Sequence, residues 1–265
     1  MDAEHRAAVA VAEPVGSRWF VSTQTDDFAE LLPLSEQLAG ASRVVAITDL
    51  HVWRGQFWRL QSLVPPALRA RAERLHDPRE RERRLLAYAL HRLMVARVLG
   101  RDPARVEIGR MASGMPMVAG LPNIATSLSH ADDFVAIAVA RDAGMIGVDI
   151  EAIEHESLLD GLAGSVLHPQ ESDRGEALID AWVRKEAVLK AIGSGLSVDM
   201  SAFQSRQGMA VSELAMATGL RAWSLRVCAN RARLGLALPT LDGLLARFEP
   251  GNVDVVSLRE QVMRM

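Results

Sequence analysis

The sequence predicts an α/β fold made of two similar halves. In each half a strand-like run rich in β-branched residues comes first, starting at Arg43 or at Met145, and a long amphipathic helix follows. An ungapped alignment of the two helices brings Gly100 opposite Gly193 at their ends. The shared order of elements favours a repeat over a chance likeness of two helices. We therefore divide the chain into a partly ordered lead-in, an N-terminal half and a C-terminal half at residues 1–40, 41–143 and 144–265.

Residue type predicts the first elements of the N-terminal half. The β-branched run over 43–48 is typical of a strand. Val-Pro-Pro at 64–66 opens an arginine-rich helical stretch. A second helix over 80–99 ends before Gly100, because glycine readily takes the left-handed conformation that follows a helix.

The remaining elements follow from the same signals. Two strand-like runs within 123–140 surround a polar Asp-Asp turn, and 145–151 forms another β-branched run. His-Pro at 168–169 predicts a helical turn, and 178–192 predicts a strong helix. Strand-like sequence returns over 221–238.

Composition narrows the class of function. Nearly half of the 265 residues are apolar, and the formal net charge of −3 gives no overall attraction to nucleic acid or to an anionic membrane. Any phosphate-binding patch must therefore be local. A single cysteine, Cys228, excludes a disulfide framework and a thiolate metal cluster and favours a reducing compartment. With neither a signal peptide nor a long apolar run, the sequence predicts a cytoplasmic protein without a membrane partner.

Two acids in the strand-like run at 145–151 form the first candidate site. Residues two apart in a strand point to the same face, so Asp149 and Glu151 present their carboxylates side by side. Like charges this close repel unless a cation or a proton relieves them. Mg²⁺ prefers oxygen ligands and combines carboxylates with phosphate oxygens. The alternative is an exposed strand edge that carries acids for solubility.

The following helix adds a third acid and two lysines. Trp182, Glu186 and Lys190 are four residues apart and share one face. Glu186 can complete a carboxylate triad, while Lys190 and Lys185 can meet phosphate oxygens as point charges. A solvent-exposed Glu–Lys pair is the alternative, although the tryptophan one turn earlier indicates that this face is partly buried.

Further candidates are weaker alone. Glu171 lies in a first helical turn, where an acid also suits the helix dipole. Ser129 and His130 lie at the end of a strand-like run and can bind phosphate. The alternative is that they are ordinary core and turn residues. Seven arginines between 69 and 84 suit phosphate binding as well as a solvated helix face. Aromatic interleaving is missing, which disfavours a single-stranded nucleic-acid platform. A P-loop, a dinucleotide fingerprint and a nucleophile elbow are also missing.

Taken in order, five motifs resemble the Sfp-type 4′-phosphopantetheinyl transferases. They are S-G-M-P at 113–116, S-L-S-H at 127–130, I-G-V-D-I-E at 146–151, L-H-P-Q-E at 167–171 and W-V-R-K-E-A-V-L-K at 182–190. The resemblance covers about residues 64–205 and implies a pseudo-dimer of two α/β halves. The D-x-E pair with W-x-x-K-E-A is its most specific part. Met115 and Ser194 depart from it, since the family often has lysine at both positions.

The resemblance implies a reaction and a set of roles. The enzyme would transfer the 4′-phosphopantetheine arm of coenzyme A to a serine of an apo acyl or peptidyl carrier protein and release adenosine 3′,5′-bisphosphate. Mg²⁺, or Mn²⁺ in its place, would be held by Asp149, Glu151 and Glu186. Catalysis would involve Lys190 and either Glu171 or Glu186 as the base that activates the serine. Coenzyme A would meet Arg71, Arg74, Arg83, Arg84, Gly114, Met115, Pro116, Ser129, His130, Lys185 and Lys190.

Two other functions stay open. A coenzyme A- or nucleotide-binding module without activity is disfavoured by the intact acids and lysines. An arginine-rich nucleic-acid-binding domain is disfavoured by the net charge of −3. Dependence on Mg²⁺ separates the enzyme from both. We expect a monomer, and the carrier protein can belong to fatty acid, polyketide, nonribosomal peptide or siderophore synthesis.

Overall fold

The computed structural model describes residues 28, 31–32, 36–142, 144–171 and 177–264. The predicted lead-in over 1–40 falls mostly outside these residues. The described strands are β1 (Arg43–Asp49), β2 (Ile108–Arg110), β3 (Pro116–Val118), β4 (Ala125–Ala131), β5 (Phe134–Ala140), β6 (Gly147–Ala152), β7 (Arg221–Val227), β8 (Ala232–Leu238), β9 (Leu244–Glu249) and β10 (Asn252–Ser257). The described helices are α1 (Glu36–Gly40), α2 (Phe57–Leu60), α3 (Pro66–Glu73), α4 (Pro78–Val98), α5 (Glu156–Leu159), α6 (Ala163–Val166), α7 (Leu178–Ile192) and α8 (Leu258–Met263).

The strands form two sheets. The larger has the order β10-β9-β1-β5-β4-β3-β2, and the smaller has the order β6-β8-β7. In β1-β5-β4 and in β6-β8-β7 a strand, a long helix and a hairpin follow one another, and the last strand lies in the middle. This fits two similar halves, and the α/β fold class is confirmed. The C-terminal strand β9 pairs in parallel with β1. The division of the chain at residue 143 stays a prediction.

The layers follow from which faces are buried. Val44 and Ala46 of β1 pack under α4, whereas Val45 and Ile47 of the same strand face the smaller sheet. The two sheets therefore pack face to face, with α4 on one outer side and α7 on the other. Burial of both faces explains why β1 and β5 have β-branched and small apolar residues almost throughout.

Two glycines bring α7 against the smaller sheet. A Cβ atom on Gly147 would lie 1.9 Å from the Ala187 carbonyl oxygen, and one on Gly235 would lie 1.9 Å from that of Val183. Only glycine permits this approach of backbone to backbone. Because Asp149 lies opposite Gly235 in the sheet, the close contact also sets the distance between Asp149 and the helix.

The sequence located most long elements. The strand at 43–48, the hairpin around Asp132 and the helix at 178–192 are confirmed, and Gly100 and Gly193 both have positive φ. The second helix begins at Pro78, two residues earlier than predicted, because the Asp77 side chain accepts a hydrogen bond from the backbone of Arg79. Residues 168–171 form a single hydrogen-bonded turn. No helix in the described ranges is both long and apolar enough to cross a membrane.

His91 on α4 makes the fold sensitive to acid. Its ring is buried, and Nε2 lies 2.7 Å from the Thr126 hydroxyl, which donates its own proton to the Ala138 carbonyl. Nε2 therefore donates to Thr126. Burial, with a smaller contribution from Arg110, lowers the pKa of His91 to about 3. The imidazole is consequently neutral in the folded protein.

We expect this histidine to lower stability as the pH falls. The folded pKa lies below the unfolded value near 6.5, so the unfolded state binds more protons between these values. The free energy of unfolding should lose about 2 kcal/mol through His91 between pH 7 and pH 5. Urea titrations should show that His91→Gln, which keeps a donor without titrating, removes this part of the pH dependence. The exposed His76→Gln should keep it, and a His91→Gln protein with the wild-type pH dependence would contradict the assignment.

Candidate active site

Strands β4 and β6 and helix α7 bring three predicted residues together. The Asp149 side chain is 5% exposed, and its Oδ1 accepts hydrogen bonds from Ser129 Oγ at 2.7 Å and from Lys190 Nζ at 2.6 Å. Lys190 Nζ also donates to Ser129 Oγ at 2.8 Å. The Ser129 hydroxyl therefore forms hydrogen bonds with both Asp149 and Lys190, and Asp149 lies at the centre of these three residues.

The acid cluster consists of Asp149, Glu151 and Glu186, and it carries more negative charge than its hydrogen-bond partners neutralise. Asp149 Oδ2 is buried and makes no hydrogen bond. Burial first, and then the Asp149 charge, raise the pKa of Glu186 to about 7. The same two causes raise the pKa of Glu151 above its ordinary value. The predicted face of α7 is confirmed, because Trp182, Glu186 and Lys190 are all half-buried.

This donor set suits a hard cation. Within the described parts of the chain, no three His, Cys, Asp or Glu side chains are arranged closely enough to hold a metal ion. The chemistry of the acids nevertheless fits Mg²⁺ or Mn²⁺, which bind carboxylate oxygens together with phosphate and water. The unpartnered Oδ2 of Asp149 and the raised pKa values of its two neighbours are what a site built for an added cation would show.

His155 contacts Glu151 and was missed by the sequence analysis. Its Nδ1 lies 3.1 Å from Glu151 Oε2, and its Nε2 lies 3.0 Å from Asp132 Oδ2. The spacing of four residues between Glu151 and His155 is the only signal in the sequence, and it suggests a contact only once a helical turn after β6 is known.

A group of cations lies beside the acids. Burial first, then Arg84, Lys190 and Arg83, lower the pKa of His130 to about 4, so its imidazole is neutral near pH 7. Burial chiefly, with Arg71 and Arg84 nearby, lowers the pKa of Arg110. Arg84 Nε is buried without a hydrogen-bond partner. Arg110 was missed because it lies in a stretch without any periodic pattern.

The S-G-M-P turn joins this group to the end of α7. Gly114 has a φ of +87°, which favours glycine, and its carbonyl accepts a hydrogen bond from Arg110 Nη1 at 2.5 Å. A Cβ atom on Gly193 would lie 2.9 Å from Met115 Sδ. The turn therefore packs on the residue that ends α7, one turn after Lys190, and Pro116 begins β3.

Comparison with known proteins identifies the family. The model of the 4′-phosphopantetheinyl transferase superfamily matches residues 145–228, which include Asp149, Glu151, Glu186 and Lys190. A 4′-phosphopantetheinyl transferase of Bacillus pumilus is 30% identical over 160 residues, which are 58% of this chain and 68% of the relative. This chain belongs to the Sfp-type 4′-phosphopantetheinyl transferases. A 4′-phosphopantetheinyl transferase of Bacillus subtilis is 26% identical over 167 residues, 60% of this chain and 73% of the relative. A third relative, the 4′-phosphopantetheinyl transferase Sfp of Bacillus subtilis strain 168, is 25% identical over 155 residues, 56% and 68% of the two chains.

The predicted arginines of this transferase differ in their surroundings. Arg83 is held by acids, with Glu80 at 2.6 Å, Asp133 at 2.9 Å and Asp132 at 3.6 Å. Hydrogen bonds to Asp133 and Glu80 raise the pKa of Arg83 above its ordinary value. Arg71, like Arg74, is exposed at the end of α3.

Glu171 and Lys185 form a second, buried pair in the transferase. Lys185 Nζ lies 2.7 Å from Glu171 Oε2, and the two side chains are 0% and 3% exposed. Burial pushes the pKa of Glu171 upward, but Lys185 and the backbone N–H groups of Ser205 and His168 outweigh it and hold the pKa below its ordinary value. Lys185 also donates to the Met200 carbonyl. The hydrogen bonds described for Glu171 and Lys185 join them to each other and to backbone groups of the segments around His168, Met200 and Ser205.

Proposed function

We propose that this protein transfers the 4′-phosphopantetheine arm of coenzyme A to a serine of an apo acyl or peptidyl carrier protein and releases adenosine 3′,5′-bisphosphate. Membership of the 4′-phosphopantetheinyl transferases supports the reaction class. The observation that carries the proposal is the buried Asp149 carboxylate, with one oxygen bound to Lys190 and the other without a partner. Such a group suits a site that orders a cation against phosphates.

Phosphoryl transfer depends mainly on positioning and on neutralising charge. We assign Lys190 to the diphosphate of coenzyme A, because it reaches the acid cluster from the last turn of α7. Arg84, Arg110 and the neutral His130 offer donors beside it and suit the remaining phosphate. The backbone of the turn at 113–116 would then face the adenine.

Asp149, Glu151 and Glu186 would hold Mg²⁺ or Mn²⁺. When bound, the cation supplies Lewis-acid polarisation and charge neutralisation on the diphosphate. Lys190 would have to share the Asp149 carboxylate with it, and the free Oδ2 provides an oxygen for this purpose.

Proton transfer is assigned to Glu186. Without a cation, burial and the Asp149 charge hold its pKa at about 7, and a bound cation would lower it, so that the ionised carboxylate can accept the proton. The carrier serine oxygen forms a bond to the β-phosphorus of coenzyme A, its proton passes to Glu186, and the bond to adenosine 3′,5′-bisphosphate breaks. Glu171 is the second candidate from the sequence, but both of its oxygens already accept hydrogen bonds.

The partners follow from this reaction. They are coenzyme A and the apo carrier protein, and we propose that the enzyme acts as a cytoplasmic monomer without nucleic acid or membrane. The net charge of −3 supports the last point.

The test is a transfer reaction read by intact mass. The purified protein is incubated with coenzyme A, Mg²⁺ and a panel of apo carrier proteins. We expect one phosphopantetheine arm on a carrier serine, lost with EDTA and absent from a carrier whose serine is replaced by alanine. Coenzyme A binding without transfer to any carrier would contradict the proposal and favour the non-catalytic coenzyme A-binding module.

A further inference from the structure

His155 links the two halves of the molecule at the acid cluster. It lies in the short turn after β6, and its two ring nitrogens contact Glu151 of the C-terminal half and Asp132 of the N-terminal half. Asp132 occupies the turn between β4 and β5, two residues after His130, and its φ is +49°. The bridge therefore runs between the two strands that carry the candidate site.

The turn that bears Asp132 is itself held in place. The neighbouring Asp133 carboxylate accepts from Arg83 at 2.9 Å and from Arg54 at 3.0 Å, and its carbonyl accepts from the Leu50 backbone at 2.6 Å. These contacts hold the backbone of the turn, and Arg83 Nη1 lies 3.6 Å from the Asp132 carboxylate itself.

We propose that His155 is a positioning residue, which orients the Glu151 carboxylate for the cation and fastens it to Asp132 of the other half. This inference rests on the proposed function, because it takes Glu151 as a cation ligand. Nδ1 of His155 lies 3.1 Å from Oε2 of Glu151, a contact that restrains the torsion of the carboxylate. Partners of ligands commonly change metal affinity by about 10- to 100-fold when they are removed.

If His155 only supported the fold, its loss would lower stability and not cation affinity in particular. The His155 side chain is 33% exposed and that of Asp132 is 44% exposed, and ion pairs at this exposure contribute little to folding. Loss of His155 should therefore leave the melting temperature close to wild type. Cation affinity is the quantity that separates orientation of Glu151 from general support of the fold.

Three variants test the proposal through Mn²⁺ binding, measured by electron paramagnetic resonance without coenzyme A or carrier. His155→Asn places an amide N–H near the Nδ1 position and can still donate to Glu151, whereas His155→Gln places one near Nε2 and reaches Asp132 only. We expect His155→Ala and His155→Gln to raise the Mn²⁺ Kd at least tenfold, and His155→Asn to restore most of the affinity. The exposed His76→Gln is the matched control and should bind as the wild type does.

The outcomes are distinguishable. Equal Mn²⁺ affinity in wild type and all three variants would overturn this inference and leave the proposed metal site standing. Loss of affinity in His155→Asn as large as in His155→Ala would also overturn it, because the Nδ1 contact would then have no role. A wild-type protein that binds no Mn²⁺ would overturn the metal site of the proposed function together with this inference.

Discussion

Replacing Asp149 with alanine should abolish phosphopantetheine transfer while the protein stays folded. Asp149 is the buried centre of the acid cluster and the partner of both Lys190 and Ser129. Removing it takes away a cation ligand and leaves Lys190 without its carboxylate. We expect transfer to fall by on the order of a thousandfold, comparable to the loss of an electrostatic group that acts in the transition state. Single-turnover transfer, followed by intact mass, measures the effect.

Two controls make the Asp149 result specific. Asp149→Asn keeps the shape of the side chain and should be nearly as inactive, with a circular dichroism spectrum like that of the wild type. Asp254→Asn changes an exposed acid on the edge strand β10 and should leave transfer unchanged. An Asp149→Ala protein that transfers at the wild-type rate would rule out the assignment of the acid cluster.

Replacing Lys185 with methionine should destabilise the protein by about 3–5 kcal/mol, because it leaves the buried Glu171 carboxylate without its cation. It also removes the donor to the Met200 carbonyl. Urea denaturation measures the change in the free energy of unfolding. The double variant Glu171→Gln, Lys185→Met removes both charges and should recover part of the lost stability. If the single variant is as stable as the wild type, the buried pair has no structural role.

The same double variant separates structure from catalysis. If Glu171 and Lys185 only hold the segment around Met200 and Ser205 to α7, the folded double variant should still transfer the arm. Complete loss of transfer in a folded double variant would contradict a purely structural role and would return Glu171 as a base, or Lys185 as a contact of coenzyme A, to the reaction. The repeat supports the structural role, because Arg92, which aligns with Lys185, likewise donates to the carbonyls of Pro103 and Ala104 after its own helix.

Much of the candidate site could be predicted from local sequence. The two-residue spacing placed Asp149 and Glu151 on one strand, and the four-residue spacing placed Glu186 and Lys190 on one helix face. Met145–Glu151 and the helix at 178–192 had strong patterns of their own. The roles of these side chains remain predictions, whereas their placement on these elements is observed.

Other site residues could not be predicted because their contacts cross the fold. His155 and Asp132 are separated along the chain and meet only when β4 packs against β6, and Arg110 comes near Arg71 and Arg84 only in the folded chain. Lys185 and Glu186 are adjacent in sequence, yet one is fully buried and the other half-exposed. Helical geometry rotates neighbours by about 100°, so the partner of each depends on what packs against that side of α7.

The sequence by itself determined the α/β class, the order of the main strands and helices, and the carboxylate and lysine motifs, because these follow from residue spacing and from backbone preferences along a short stretch. Only the tertiary structure decided that Lys190 reaches Asp149 and that Lys185 turns away to Glu171. The glycines at 147 and 235 let α7 approach the sheet closely. That approach determines which side chains share a charge environment, and burial then determines which acids have a raised pKa.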